Sequence, residues 1–146
     1  MARSGFLAGL LAAAVVLVPA AASAQIWSLA YPPLTEGTTT PNAGAALSEW
    51  TIWYVYPAQQ VCEEHRALWR MVIKAEDDES VRAAGRRAVF VKGIPAPSAN
   101  MDVLEENARR WVRETGAKLR SDKGVTNQVM TAQCVSAADP RLQPAK

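Results

Sequence analysis

The 146-residue chain has two cysteines, Cys62 and Cys134, and it opens on a segment that reads as an export signal. Exported proteins fold where disulfides persist, so the simplest use of two cysteines is one bond within the chain. Such a bond closes a 72-residue loop and requires a fold that brings the middle of the sequence against its last structured segment. On loop-closure entropy it contributes roughly 4 to 4.5 kcal/mol, a large share of the ~5 to 15 kcal/mol that holds a domain together. A redox pair would need Cys-x-x-Cys and a metal centre further Cys or His, and the sequence carries neither pattern.

The export reading rests on three adjacent features. Arg3 supplies the positive start, residues 6–18 are a continuous apolar and glycine run, and Pro19 precedes Ala20-Ala21-Ala22-Ser23-Ala24. Cleavage after Ala24 leaves Gln25 as the new amino terminus. The apolar run is shorter than the roughly 20 residues of a membrane span, no second run follows, and no Cys stands just after it to carry a lipid. The expected product is exported, periplasmic or extracellular, with no transmembrane anchor after cleavage. What remains is enough for one domain with one core. With 16 Lys+Arg against 14 Asp+Glu the chain is nearly neutral, which argues against nucleic acid as a partner, because such binders draw their affinity from neutralising phosphates.

Residues 25–47 carry Pro32-Pro33, Gly37, Pro41 and Gly44 and a polar run at 35–40, a composition that favours an extended arm followed by a loop. Within it Trp27 and Leu29 alternate, as in an arm laid on the domain. Trp50-Thr51-Ile52-Trp53-Tyr54-Val55-Tyr56 is all β-branched or aromatic and predicts a strand ending at Pro57. Strict alternation would place Trp50, Ile52, Tyr54 and Tyr56 on one face and Thr51, Trp53 and Val55 on the other. Pro57 suits the first turn of a helix. Val61, Cys62, His65, Leu68, Trp69 and Val72 then recur at spacings of three and four, predicting that helix over about 58–75.

The stretch 76–99 is ambiguous, with a helix-compatible Asp78 and Arg82 pair ahead of Gly93, Pro95 and Pro97. A second main helix, capped by Ser98 or Asn100, runs to about residue 120 and buries Leu104, Ala108, Trp111, Thr115 and Leu119, supported by Val103 and Val112. Ser121-Asp122-Lys123-Gly124 stops it, and residues 128–135 read as a second strand. The expected fold is α+β: a small two-stranded antiparallel sheet packed by two main helices in the order β-α-α-β, with one disulfide and an irregular N-terminal arm. Its parts are a signal peptide (1–24), arm and loop (25–47), a single domain (48–142) and a frayed tail (143–146).

Several segments together carry a resemblance. They are Trp27-Ser28-Leu29-Ala30-Tyr31-Pro32-Pro33, Ala46-Leu47-Ser48-Glu49-Trp50, Cys62 at a helix start, Ala132-Gln133-Cys134-Val135, and Asp139-Pro140-Arg141-Leu142. In this the chain resembles a group of small uncharacterised exported bacterial proteins with a Trp-x-Leu-x-x-Pro-Pro arm, a Leu-Ser-x-Trp strand and a Cys-Val segment leading into Asp-Pro-Arg-Leu. The resemblance implies an architecture shared with that group and no particular activity.

No residue is nominated as catalytic. His65, the single histidine, follows Cys62 by three residues on one helical face. As a general base or metal ligand it would need Glu63 or Glu64 positioned beside it and a substrate pocket; as a structural residue it lies partly buried beside the disulfide. Nothing implies a metal or cofactor, and no Gly-x-Ser-x-Gly, phosphate loop or His-Glu-x-x-His motif occurs. Five Trp and three Tyr are the richest resource in a chain this short. Trp50, Trp53, Tyr54 and Tyr56 are the candidate binding surface, a stacking platform for glycan or peptide if one strand face stays open, and otherwise core. Arg82, Arg86, Arg87 and Lys92, with Arg109, Arg110, Arg113, Lys118 and Arg120, offer contacts to an anionic lipid or envelope polymer, or simply a solvated face. The sequence thus favours a non-catalytic interaction or structural module of the cell envelope, with an envelope protein or polymer as partner, over a secreted enzyme of unrecognised type.

The export reading makes a direct prediction. Mass spectrometry of the exported product should find Gln25 at its amino terminus; a product that retains residues 1–24, or stays in the cytosol, would overturn it.

Overall fold

The computed structural model describes residues 25–92 and 100–142. The signal segment, the break at Gly93, Pro95 and Pro97, the alternative cap Ser98 and the tail 143–146 lie outside the described residues.

Strand β1 is Trp27–Tyr31, β2 is Thr51–Tyr56 and β3 is Gln133–Ser136. They form one antiparallel sheet in the order β2-β1-β3. The sheet therefore has three strands rather than two, and the two strands expected to pair with each other do not. Both pair with β1, the segment read as an arm: Leu29 lies opposite Tyr54 on one side and Cys134 on the other. The reason is burial. Ser28, Leu29 and Ala30 are all buried, so both faces of β1 are covered and its backbone groups must pair with neighbours rather than water.

Among the described residues four α-helices follow where two main ones were expected. Helix α1, Gln59–Lys74, starts without a side-chain cap at Ala58, so Pro57 stands outside the helix rather than in its first turn. It buries Cys62, Leu68, Trp69, Val72 and Ile73. Helix α2, Asp78–Lys92, fills most of the ambiguous stretch. The Asp77 carboxylate accepts from the Ser80 backbone N–H at 2.7 Å while the Asp77 N–H donates back to the Ser80 hydroxyl at 3.2 Å, a reciprocal cap. Asp78 reaches Arg113 of the next helix at 3.8 Å. Helix α3, Met101–Arg120, is capped by Asn100, whose side chain accepts from the Asp102 N–H at 2.9 Å. Its buried line is Ala108, Val112 and Gly116, with Trp111 and Leu119 partly buried and Val103 exposed.

The fourth helix takes the first half of the expected second strand. Helix α4 is Lys123–Thr131, and β3 begins only at Gln133. Asp122, read as part of a stop signal, is its N-cap and accepts from the Val125 N–H at 3.1 Å. Gly124 is buried in its first turn, where a Cβ would come within 2.9 Å of the Leu34 side chain. Glycine here serves close packing against the loop after β1. Val125 and Val129, four residues apart, satisfy a helical repeat as well as a run of β-branched residues.

Three apolar clusters hold these elements. Leu68, Val72, Val81, Ala84, Ala88, Ala108 and Val112 join the first three helices. Leu29, Tyr56, Cys62, Trp69, Ile73, Val129 and Ala132 lie between the sheet and helices α1 and α4. Ala30, Trp50 and Val135 occupy the opposite sheet face, packed by Ala45, Leu47 and Leu142. Cys62 and Cys134 are bonded, with Cα atoms 5.9 Å apart, and tie the first turn of α1 to β3. Helix α1 doubles back over the sheet, as that bond requires.

If β1 is the centre of the sheet, Leu29→Ala should cost about 2 to 5 kcal/mol. Val55→Ala, at a position 61% exposed on edge strand β2, should cost less than ~1 kcal/mol. Denaturant unfolding compares them; equal small losses would mean that β1 is a loosely held arm.

Candidate binding site

The site begins with an irregularity in the sheet. Leu29 pairs with Tyr54 but the next residue, Ala30, pairs with Ile52, so Trp53 is an extra residue on β2. A bulge of this kind re-aims side chains. Here it breaks the strict alternation, and Trp53 and the adjacent Tyr54 both meet Trp69 of α1, with ring centroids at 4.8 and 6.2 Å in stacked geometry. Tyr31 meets Trp53 edge-on at 6.1 Å, and Trp111 of α3 meets Trp69 edge-on at 5.7 Å.

The four expected platform residues are thereby divided. Trp53 is half-buried, Tyr54 is exposed and Tyr56 is buried, all on the helix side. Trp50 is not part of this cluster. It is buried on the opposite sheet face, where its indole N–H donates to the Ala45 carbonyl at 3.2 Å. In its place stand Tyr31, Trp69 and Trp111. The two tryptophans lie on the apolar faces of their helices and read as ordinary core; no spacing in the sequence tells that those faces converge on β2.

Beside Trp53 and Trp69 a cleft of about 430 Å³ opens between β2, α3 and α4. Its apolar wall is Trp53, Trp69, Leu119 and Val125, and its polar rim is Thr115, Lys118, Ser121 and Asp122. A smaller hollow of about 110 Å³ adjoins the same Trp53 and Val125, bounded by Tyr31, Gln128 and Val129. This is the usual build of a small-ligand site, an apolar wall with few polar groups to set orientation. The α3–α4 junction supplies the rim because Asp122 must stand at the start of α4 to cap it.

His65 lies outside this cleft. Its Nε2–H donates to the Val91 carbonyl in the last turn of α2 at 3.1 Å, and its ring meets Tyr56 edge-on at 4.7 Å. Neither neighbouring glutamate partners it: Glu63 pairs with Arg66, and Glu64 accepts from Gln60. Burial pushes the imidazole pKa down, and the Val91 hydrogen bond opposes this in part. The arrangement fastens α2 to α1 and presents no base to a substrate. Among the described residues no group of three or more His, Cys, Asp or Glu side chains gathers as a metal site. Two of the basic positions are taken up by ion pairs, Arg109 with Glu106 and Arg113 with Asp78 and Glu106. The chain matches no described protein family, no curated protein and no solved structure.

The cluster leaves polar atoms unpaired. Among the described residues the buried Tyr56 hydroxyl and Trp69 indole N–H find no hydrogen-bond partner. Burial, with a smaller contribution from Tyr54, pushes the Tyr56 phenol from its usual 10.0 up to about 12. The folded value lies above the unfolded one, so this contribution to stability is complete below pH ~10 and is lost as pH rises through ~12. Tyr56→Phe should therefore abolish that alkaline loss and, by removing an unsatisfied buried hydroxyl, stabilise the fold by up to ~1 kcal/mol at neutral pH. Thermal unfolding across the alkaline range measures both; a destabilised variant at neutral pH would show that the hydroxyl has a partner.

Proposed function

We propose that this chain is an exported, non-catalytic binding module whose ligand lies against Trp53 and Trp69 in the cleft between β2, α3 and α4. The observation that carries the reading is the pairing of a two-tryptophan wall with a rim of Thr115, Lys118, Ser121 and Asp122. A ligand suited to it has a flat apolar face and polar edges. A saccharide ring is such a ligand, with C–H bonds toward the indole and hydroxyls toward the rim, and in the envelope that means a cell-wall or surface glycan.

Two features favour binding over chemistry. The cleft has one carboxylate, Asp122, and it is engaged in capping α4, whereas glycoside hydrolysis by the usual route needs two facing carboxyl groups. The only histidine is held against Val91 away from the cleft. Export is supported by Arg3, the apolar run and Ala22-Ser23-Ala24 and by the Cys62–Cys134 bond. The resemblance to small exported bacterial proteins points to the same compartment.

Titration of the oxidised chain with soluble peptidoglycan fragments and envelope polysaccharides, followed by tryptophan fluorescence, tests the proposal. One ligand should bind saturably, and Trp53→Ala and the rim variant Lys118→Ala should each weaken it by about tenfold, the ~1.4 kcal/mol expected of one stacking or charged contact. No saturable binding, or binding unchanged in Trp53→Ala, would overturn it.

A further inference from the structure

The aromatic cluster already holds a cation. Lys92, the last residue of α2, places its Nζ 4.3 Å from the Trp69 ring centroid, 4.7 Å from that of Trp111 and 6.0 Å from that of Tyr54. Three rings from three different elements thus converge on one ammonium position, all at the range where the negative face of a ring attracts positive charge. Among the described residues the Lys92 Nζ has no ion pair and no hydrogen bond. This is a poor match to a primary ammonium. Lysine carries three N–H donors and is strongly hydrated, and aromatic faces offer those donors little in exchange for water. The fold registers the mismatch, because burial pushes the Lys92 pKa down. A quaternary ammonium has the same charge, no N–H to satisfy and a weakly hydrated surface of methyl groups. The geometry of Tyr54, Trp69 and Trp111 fits that group better than it fits its own lysine.

We propose that Tyr54, Trp69 and Trp111 form a binding site for a quaternary ammonium group of the choline or betaine type, and that Lys92 is its internal occupant, displaced when ligand enters. Tyr54 is 40% exposed, so one wall of the cage faces solvent, and the lysine stem is flexible enough to withdraw while the His65 bond to Val91 keeps the end of α2 in place. The tether makes Lys92 a competitor at high effective concentration. The native chain must therefore bind such ligands weakly, and removal of the lysine side chain must expose the full affinity. This site is distinct from the cleft at Trp53, although Trp69 borders both, and stands or falls independently of it.

The test titrates the oxidised native chain and Lys92→Ala with tetramethylammonium, against ammonium at equal ionic strength, by tryptophan fluorescence and calorimetry. Lys92→Ala should bind tetramethylammonium at least ~10-fold more tightly than the native chain does, and at least ~10-fold more tightly than it binds ammonium; Trp111→Leu in the same background should abolish binding. Lys92→Gln, which keeps length without charge, takes its place if the alanine variant fails to fold. No saturation in the folded variant, equal affinity for the two cations, or indifference to Trp111→Leu would overturn the site. Free choline and betaine, tested beside phosphatidylcholine vesicles, identify the source. Binding of the free solutes alone points to a small molecule and co-sedimentation with vesicles to a lipid headgroup, and either supports the site.

Discussion

Strand β1 is the partner that both other strands share. β2 and β3 pair with its two edges and not with each other, so without residues 27–31 there is no sheet for the helices to cover. The strand is short, and a short strand is stable here only because both its faces are buried, with Leu29 against the helices and Ala30 against Trp50 and Val135. Its position also explains the disulfide. Cys134 lies opposite Leu29, and Cys62 reaches it because α1 leaves β2 and turns back over the sheet. The bond, closing 72 residues, removes chain entropy from the unfolded state worth about 4 kcal/mol and holds β3 at the edge where it has only four residues of its own.

The helices are held by an equally specific contact. α3 approaches α1 so closely at Gly116 that a Cβ would stand 2.7 Å from the Val72 carbonyl. One turn later the Arg120 guanidinium donates to the carbonyls of Val72, Ile73 and Ala75 at 3.4, 3.0 and 3.2 Å. These are the carbonyls a helix C-terminus leaves without partners, at its negative dipole end, so one cation satisfies both needs. The crossing brings Trp111 to Trp69. The bulge on β2 adds Trp53 and Tyr54 from the other side, and His65 with Val91 brings in Lys92. Sheet irregularity and helix crossing together gather aromatics in one place. Among the described residues the Tyr56 hydroxyl and the Trp69 indole N–H find no partners there.

Much of this was legible in the sequence where the determining signals are local. Helices α1 and α3 and strand β2 follow from periodicity, the cap of α3 was legible as Ser98 or Asn100, and the chain has only two cysteines to pair. β1 was legible as an extended segment whose Trp27 and Leu29 alternate. Its place at the centre of the sheet was not, since five residues ending at Pro32-Pro33 look the same in an arm and in a strand until a partner pairs with them. Helix α4 was misread for a related reason: the β-branched Val129 and Thr131, two residues apart ahead of Cys134-Val135, read as one strand, and what decides for a helix is the buried Gly124 against Leu34 and the Asp122 cap.

By itself, then, the sequence determined the stiff and local parts: helices α1 and α3, where β2 runs, and which two thiols join. Tertiary structure decided which strand pairs with which, that Trp53 turns to the same side as Tyr54 while Trp50 goes to the other, and that Trp69 and Trp111 belong to one cluster with Lys92. The physical reason is separation along the chain. Caps and periodic faces act over a few residues, whereas strand order, a bulge and a helix crossing depend on contacts between segments tens of residues apart, whose partners no local pattern names.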